Sequence, residues 1–291
     1  MLAHKHRSPA ENHSRVQLLG VDHDCLSLAE LLDRVDARAP TDRPLHVVTS
    51  NMHFLTLARM QPSFARVVNR ADVVTLDGRP LLWAARALTR GGSGQITGHD
   101  LFRRCAELAS AKRRGIFLLG AAPGVAQRAA ARLQQTYPRL RAMGTHHGTF
   151  DNAGRTDREE QLIARIRDFG PHYLFVALGA PKQEYWIARN LYRLGVPLCV
   201  GVGCVFDVYA GHLPRAPRWM SCAGLESLHQ LAHAPGRWWK RYLLEDPPTA
   251  LRLALNVARQ KFGATRPSPR GEPLSVRLPE QNVPPSGRVI Y

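Results

Sequence analysis

Short apolar runs closed by Gly, Pro, Asn or Asp alternate along this chain with longer stretches whose apolar residues recur every third or fourth position. Residues 16–21 predict a strand. The spacing of Leu28, Leu31, Leu32 and Val35 predicts a helix over 26–37. A second strand is expected over 46–49, ending at Ser50-Asn51, and a helix follows through Phe54, Leu55, Leu57 and Ala58. A third strand over 72–76 runs straight into Asp77-Gly78. A helix over 81–88, a Gly-rich connection over 89–98 and a helix over 100–111 come next. The alternation then repeats: strand 115–120 with its turn at 121–124, helix 125–135, a short strand and loop over 143–150, helix 158–169, strand 173–178, helix 182–194 and a last strand over 198–202.

Strands alternating with helices predict an α/β fold, a parallel sheet with helices on both faces. Such sheets hold ligands at the carboxyl ends of their strands. Here those ends are 49–51, 77–78, 120–124, 179–183 and 201–207. The expected organisation has four parts: a polar, disordered arm over 1–14, a core over 15–211, a basic helical appendage over 212–262, and a disordered Pro-rich tail over 263–291. The tail is assigned because six prolines fall in its 29 residues, with few large apolar side chains.

Charge narrows the partners. Lys and Arg total 40 against 23 Asp and Glu, a formal +17, which favours nucleic acid, phosphorylated substrates or acidic lipid head groups. The five cysteines form no CxxC pair and have no His partners at zinc spacing, so free thiols in a reducing compartment are expected. The N-terminal stretch has no apolar core of a signal peptide. The longest uncharged apolar run, 194–206, is too short to span a bilayer. The expected location is the cytoplasm, with any membrane contact peripheral.

Several positions carry candidate chemistry. Asp77 sits between an apolar strand and Gly78, where an acid can take a proton from an attacking hydroxyl, or can simply cap the next helix. Thr49 and Asn51 close a strand two residues apart and read equally as ligand contacts or turn formers. Gly120 to Gly124 opens a helix whose N-terminus suits a phosphate. It matches neither GxGxxG nor GxxxxGK[ST], which opposes a nicotinamide or P-loop reading. In Gly179-Ala180-Pro181-Lys182-Gln183-Glu184, Lys182 opposes the helix dipole, which hints at a bound anion, and Gln183 can bond a sugar or base. His146-His147 reads as an exposed loop pair. Residues 215–262 hold eight Lys or Arg against three acids, and Arg237, Lys240 and Arg241 alternate with Trp238, Trp239 and Tyr242. That mix suits a lipid head-group layer.

In order, Thr49-Ser50-Asn51, Asp77-Gly78, Gly98-His99-Asp100-Leu101, Gly120-Ala121-Ala122-Pro123-Gly124, Leu178 to Glu184, Gly201-Val202-Gly203, Ala210-Gly211, Arg215-Ala216-Pro217 and Gly224-Leu225-Glu226 resemble the WecG/TagA/CpsF family of bacterial glycosyltransferases, glycosyltransferase family 26. The resemblance runs from Val16 to Tyr242. It implies a Rossmann-like α/β core with a C-terminal helical appendage that docks on the membrane. It implies an inverting transferase, without metal or cofactor, that moves a sugar from a UDP-sugar donor to a saccharide on a polyprenyl diphosphate. The acceptor would be met at the cytoplasmic face of the inner membrane. Asp77 falls on the family's proposed base; Thr49, Asn51 and Gln183 fall on pocket positions. Gly203, with Lys182 and the backbone at Gly120 and Gly124, joins them as a candidate contact. Arg215, Arg218, Arg237, Lys240 and Arg241 are candidates for diphosphate or membrane. Gln95 stands where the family usually has Arg, and Ser227 and Gln230 where it usually has Trp and Arg. Losing an arginine removes a fixed fork for an anion. N-acetylmannosamine, its uronic acid and glucose are all compatible donor sugars, and a homo-oligomer is open. The +17 also motivates a nucleic-acid-binding protein, although no RRM, KH or HTH pattern occurs.

Overall fold

The computed structural model describes residues 14–39, 42–89, 94–140 and 143–262. The disordered arm and tail expected from composition lie outside these residues, apart from Ser14.

The chain begins with a two-stranded antiparallel hairpin, β1 (Arg15–Leu18) and β2 (Val21–Asp24). This replaces the single strand expected over 16–21. Leu19 and Gly20 both take positive φ, 49° and 87°, the geometry of a two-residue hairpin turn. Because Leu19 is apolar, the run shows no break in the sequence pattern. The hairpin covers the edge of the main sheet, where a carboxylate oxygen of Asp24 accepts from the backbone N–H of Val74 at 2.8 Å. An edge donor that would otherwise be free is thereby satisfied.

Six strands form the parallel sheet: β3 (Leu45–Ser50), β4 (Val73–Leu76), β5 (Ile116–Gly120), β6 (Met143–His146), β7 (Tyr173–Ala177) and β8 (Leu198–Gly201), in the order β4-β3-β8-β7-β5-β6. The central strands are buried along their length, which is why they read as continuous apolar runs. Alternate side chains divide between two layers. Val47, Leu118, Phe175 and Val200 pack with the helices Leu28–Asp36, Gly98–Lys112 and Val125–Thr136. On the opposite face, Phe117, Leu174 and Val176 pack with Glu159–Phe169 and Lys182–Asn190, and Val48 and Val74 with Met52–Met60, Pro62–Arg70 and Arg79–Leu88. The helix Pro62–Arg70 is additional to those expected. Pro62 starts it at the first helical position, and Phe64 and Val68 form its buried stripe.

Beyond Gly211 the chain leaves the sheet and builds the appendage from the helices Arg218–Cys222, Glu226–His233 and Pro235–Lys240, a π-helical turn Arg241–Glu245, and the long helix Asp246–Phe262. The long helix is bolted to the core on one side. Leu253 enters the core cluster, and Thr56 donates to the Asp246 carboxylate at 2.9 Å and meets the Thr249 hydroxyl at 3.0 Å. On the other side Leu251, Leu255 and Phe262 are 63%, 49% and 83% exposed, an outward apolar stripe. Among the described residues no helix is long and apolar enough to cross a membrane.

Candidate active site

The carboxyl ends of β3, β4, β7 and β8 form one wall of a cleft of about 1530 Å³, and the appendage forms the other. Thr49, Asn51, Asp77, Gln95, Gln183, Gly203, Arg215, Arg237, Lys240 and Arg241 all line it. Residues scattered over the whole chain therefore meet in one place.

Asp77 follows β4 directly, and its N–H continues the ladder to the carbonyl of Ser50 at 2.8 Å. Its side chain is half-buried at the cleft wall, where Oδ2 accepts from the N–H of Gly98 at 3.3 Å. Burial pushes the carboxyl pKa up to about 8; the like charges of Glu226 and Asp100 add to the rise, while the Gly98 N–H and the Arg241 guanidinium oppose it. Of the Gly-rich connection expected over 89–98, residues 90–93 lie outside the described residues; the segment that begins at Gly94 lies along β4, with Ile96 donating to Leu76 at 3.1 Å and Thr75 donating to Ile96 at 3.0 Å. That pairing delivers Gln95 to the cleft.

The polar groups of Thr49, Asn51 and Gln183 already serve the fold. The Thr49 hydroxyl donates to the carbonyl of Gly201 at 3.0 Å, tying β3 to β8. Asn51 caps the helix Met52–Met60 by accepting from the N–H of His53. The Gln183 amide oxygen accepts from the N–H groups of Gly179 at 3.2 Å and Gly203 at 3.1 Å, joining the loops after β7 and β8. The Gly203 N–H is thus engaged internally. The Gln183 amide nitrogen donates at 2.7 Å to Glu184, whose carboxyl is fully buried and raised to about 7 by that burial.

Lys182 lies apart. It lines a neighbouring pocket of about 310 Å³ with Ala121, Ala122, Phe150, Asp207 and Arg237. Gly120 and Gly124 line neither cavity. Gly120, at φ 101°, is needed for close strand packing: a Cβ there would sit 2.8 Å from the carbonyl oxygen of Ala177.

From the appendage, Arg215 reaches Asp100 at 3.5 Å, Arg237 reaches Asp207 at 3.2 Å, and Arg241 reaches Asp246 at 3.3 Å. Arg218 opens the helix Arg218–Cys222. The rings of Trp238 and Tyr242 stack with centroids 5.8 Å apart, and the Arg241 guanidinium lies within 5.3 Å of both. These three side chains line the cleft. Trp239 and Leu243 are exposed instead. Trp238, Trp239 and Tyr242, read from the sequence as one mix suited to a lipid head-group layer, therefore divide between the cleft and the outer surface. Trp238 and Tyr242 are four residues apart and share the cleft face with the arginines that the core acids draw inward, whereas Trp239, about 100° further round the helix, is exposed.

Arg79 was not noted in the sequence, and Glu226, His99, Asp100 and Asp207 were quoted only within motifs or a strand end and given no role, yet all five contribute to the two cavities. Asp207 had a usable signal, since it follows the last strand's carboxyl end, the placement that marks Asp77. His146 and His147 stack at 6.1 Å at the far edge of the sheet, and no metal-holding cluster occurs among the described residues.

A parallel sheet with a carboxyl group at a strand end, facing an arginine-bearing appendage across a cleft, suits an α/β group-transfer enzyme. The chain is a glycosyltransferase of the WecG/TagA/CpsF family, whose model, described as a glycosyl transferase family, matches residues 16–265. Similar proteins include two from Staphylococcus aureus, of strains NCTC 8325 / PS 47 and MRSA252. Each is named N-acetylglucosaminyldiphosphoundecaprenol N-acetyl-beta-D-mannosaminyltransferase. Each is 31% identical over 209 residues, covering 71% of this chain and 80% of the relative.

Proposed function

We propose that this enzyme moves N-acetylmannosamine from a UDP-linked donor to a saccharide carried on a polyprenyl diphosphate, with inversion at the anomeric carbon. The observation that carries the reading is the position of Asp77, facing a cationic appendage across a cleft large enough for both substrates. The acceptor hydroxyl oxygen attacks the anomeric carbon, its proton passes to an Asp77 carboxylate oxygen, and the bond to the donor diphosphate breaks with its electron pair leaving on UDP. Arg237 and Arg241 are suited to stabilise the charge that develops on that leaving group, once the diphosphate competes with Asp207 and Asp246 for them. No step calls on a metal or cofactor. The name of the relatives supports the choice of sugar and acceptor over a uronic acid or glucose donor.

The outward stripe of Leu251, Leu255 and Phe262, flanked by Arg252, Arg259 and Lys261, supports peripheral attachment at the cytoplasmic face of the inner membrane. No observation beyond the +17 favours the alternative of a nucleic-acid-binding protein, and the matching family and the named relatives are glycosyltransferases.

The test is a panel of UDP-sugars given to purified protein with a lipid-linked N-acetylglucosamine acceptor in excess chelator. UDP release that needs both the N-acetylmannosamine donor and the acceptor is the expected outcome. Release only with a uronic acid or glucose donor would overturn the choice of sugar, and a requirement for added magnesium would overturn metal independence.

A further inference from the structure

Among the described residues five arginines line the cleft, and four of them meet a carboxylate: Arg103, Arg215, Arg237 and Arg241. Arg79 is the exception. Among the described residues its only hydrogen bond runs from Nε to the backbone carbonyl of Ser221 at 3.3 Å, a neutral acceptor. Its side chain is half-buried at the seam between core and appendage. An arginine with no acid beside it, on a wall where its neighbours all have one, is available to an anion from outside.

The surroundings say what kind of anion. Trp83 lies one turn further along the same helix and is 51% exposed. The appendage turn at Gly224 folds over both residues: a Cβ there would lie 3.2 Å from Cβ of Arg79 and 3.3 Å from the Trp83 ring. Trp219, Leu225 and Leu228, on either side of that turn, are exposed as well. The helix Asp246–Phe262, with its outward stripe, packs against the same Arg79–Leu88 helix. A lone guanidinium with exposed apolar side chains on its own helix and on the turn that covers it complements an amphiphile with an anionic head and a hydrocarbon tail.

We propose that Arg79 receives the diphosphate of the lipid-linked acceptor, with the hydrocarbon chain leaving across Trp83 and Trp219. This rests on the transferase reading above, and it separates the acceptor's diphosphate from the donor's, which falls to Arg237 and Arg241. Arg79 follows Asp77 by two residues, so their α-carbons are at most about 7 Å apart. One sugar ring can bridge from the bound diphosphate to the base across that gap.

The experiment compares two acceptors of equal chain length: N-acetylglucosamine on a short polyprenyl diphosphate, and the same sugar as an alkyl glycoside without the diphosphate. KM for each and the Kd for UDP are measured on wild type, Arg79→Gln and Arg79→Lys. Wild type is expected to favour the diphosphate acceptor by roughly 10- to 100-fold in KM, the usual range for a hydrogen bond to a charged group. Arg79→Gln is expected to lose that preference while its Kd for UDP stays within about twofold, UDP binding also showing that it folds. Arg79→Lys keeps the charge without the fork and should fall between them. Preference retained in both variants, or a loss that appears in UDP affinity instead, would overturn the assignment. Wild type inactive on both acceptors would overturn the transferase reading and this one with it.

Discussion

Arg241 of the appendage donates from Nη2 to Oδ1 of Asn51 at 3.1 Å, and the same oxygen caps the first turn of the helix Met52–Met60. One atom of the core thus serves both a helix end and the flap above it. Asp246 backs the contact from the other side, held by Thr56 and His53. Arg241→Ala would leave the half of Asp246 that faces Arg241 without its cation. A loss of about 1–3 kcal/mol in stability is expected, together with faster proteolytic cleavage in 212–217 and at least a tenfold drop in transfer. Melting and proteolysis indistinguishable from wild type would mean that the flap is anchored elsewhere.

Asp77→Asn should keep the fold and donor binding while transfer falls by roughly two to four orders of magnitude, the usual contribution of a positioned base. It should also stabilise the protein at neutral and higher pH. The folded-state value near 8 lies above that of a free carboxyl, so the folded protein binds more protons than the unfolded chain between about pH 4 and 8, and wild-type stability declines across that window. Asparagine removes the decline. Melting of the two proteins should therefore coincide near pH 4 and separate towards pH 8. Transfer by Asp77→Asn within a few-fold of wild type would exclude Asp77 as the base.

Glu226 gives a sharper electrostatic test. Its negative charge helps to hold the Asp77 carboxyl high. Since the base must be ionised to work, kcat/KM should climb with pH up to about 8 and then level. Glu226→Gln removes a like charge, so the climb should move to lower pH. A profile unmoved, or moved upward, would show that the limb belongs to another group.

The outward stripe carries the membrane prediction. Replacing Leu251, Leu255 and Phe262 with Glu should abolish sedimentation with acidic liposomes, because each change exchanges apolar area for repulsion from the surface. Transfer to a water-soluble short-chain acceptor should persist, since these side chains point away from the core. Sedimentation unchanged at physiological salt would place the membrane contact elsewhere.

The sheet was legible because buried parallel strands leave unbroken apolar runs, and Asp77 was legible because it ends one of them. The hairpin at Leu19-Gly20 was not, since an apolar residue occupies the first turn position. The appendage was legible as basic and helical, but periodicity alone does not say which face meets which partner. Asp207 and Asp246 decide that, by ion pairs to Arg237 and Arg241 that only folding brings together. Trp238 and Tyr242, four residues apart, turn to the cleft, while Trp239, the next residue round the helix, is exposed. Gln183 was picked for its hydrogen-bonding capacity, yet its amide oxygen is spent on two backbone N–H groups that only folding brings together.

That last contact bears on how the enzyme cycles. With Gly179 and Gly203 held by one amide, and that amide held in turn by Glu184, the loops after β7 and β8 are set before any ligand arrives. A surface fixed in advance needs no reorganisation as charge develops above it. The entropy of ordering these loops is lost once, when the chain folds, and not again at each turnover.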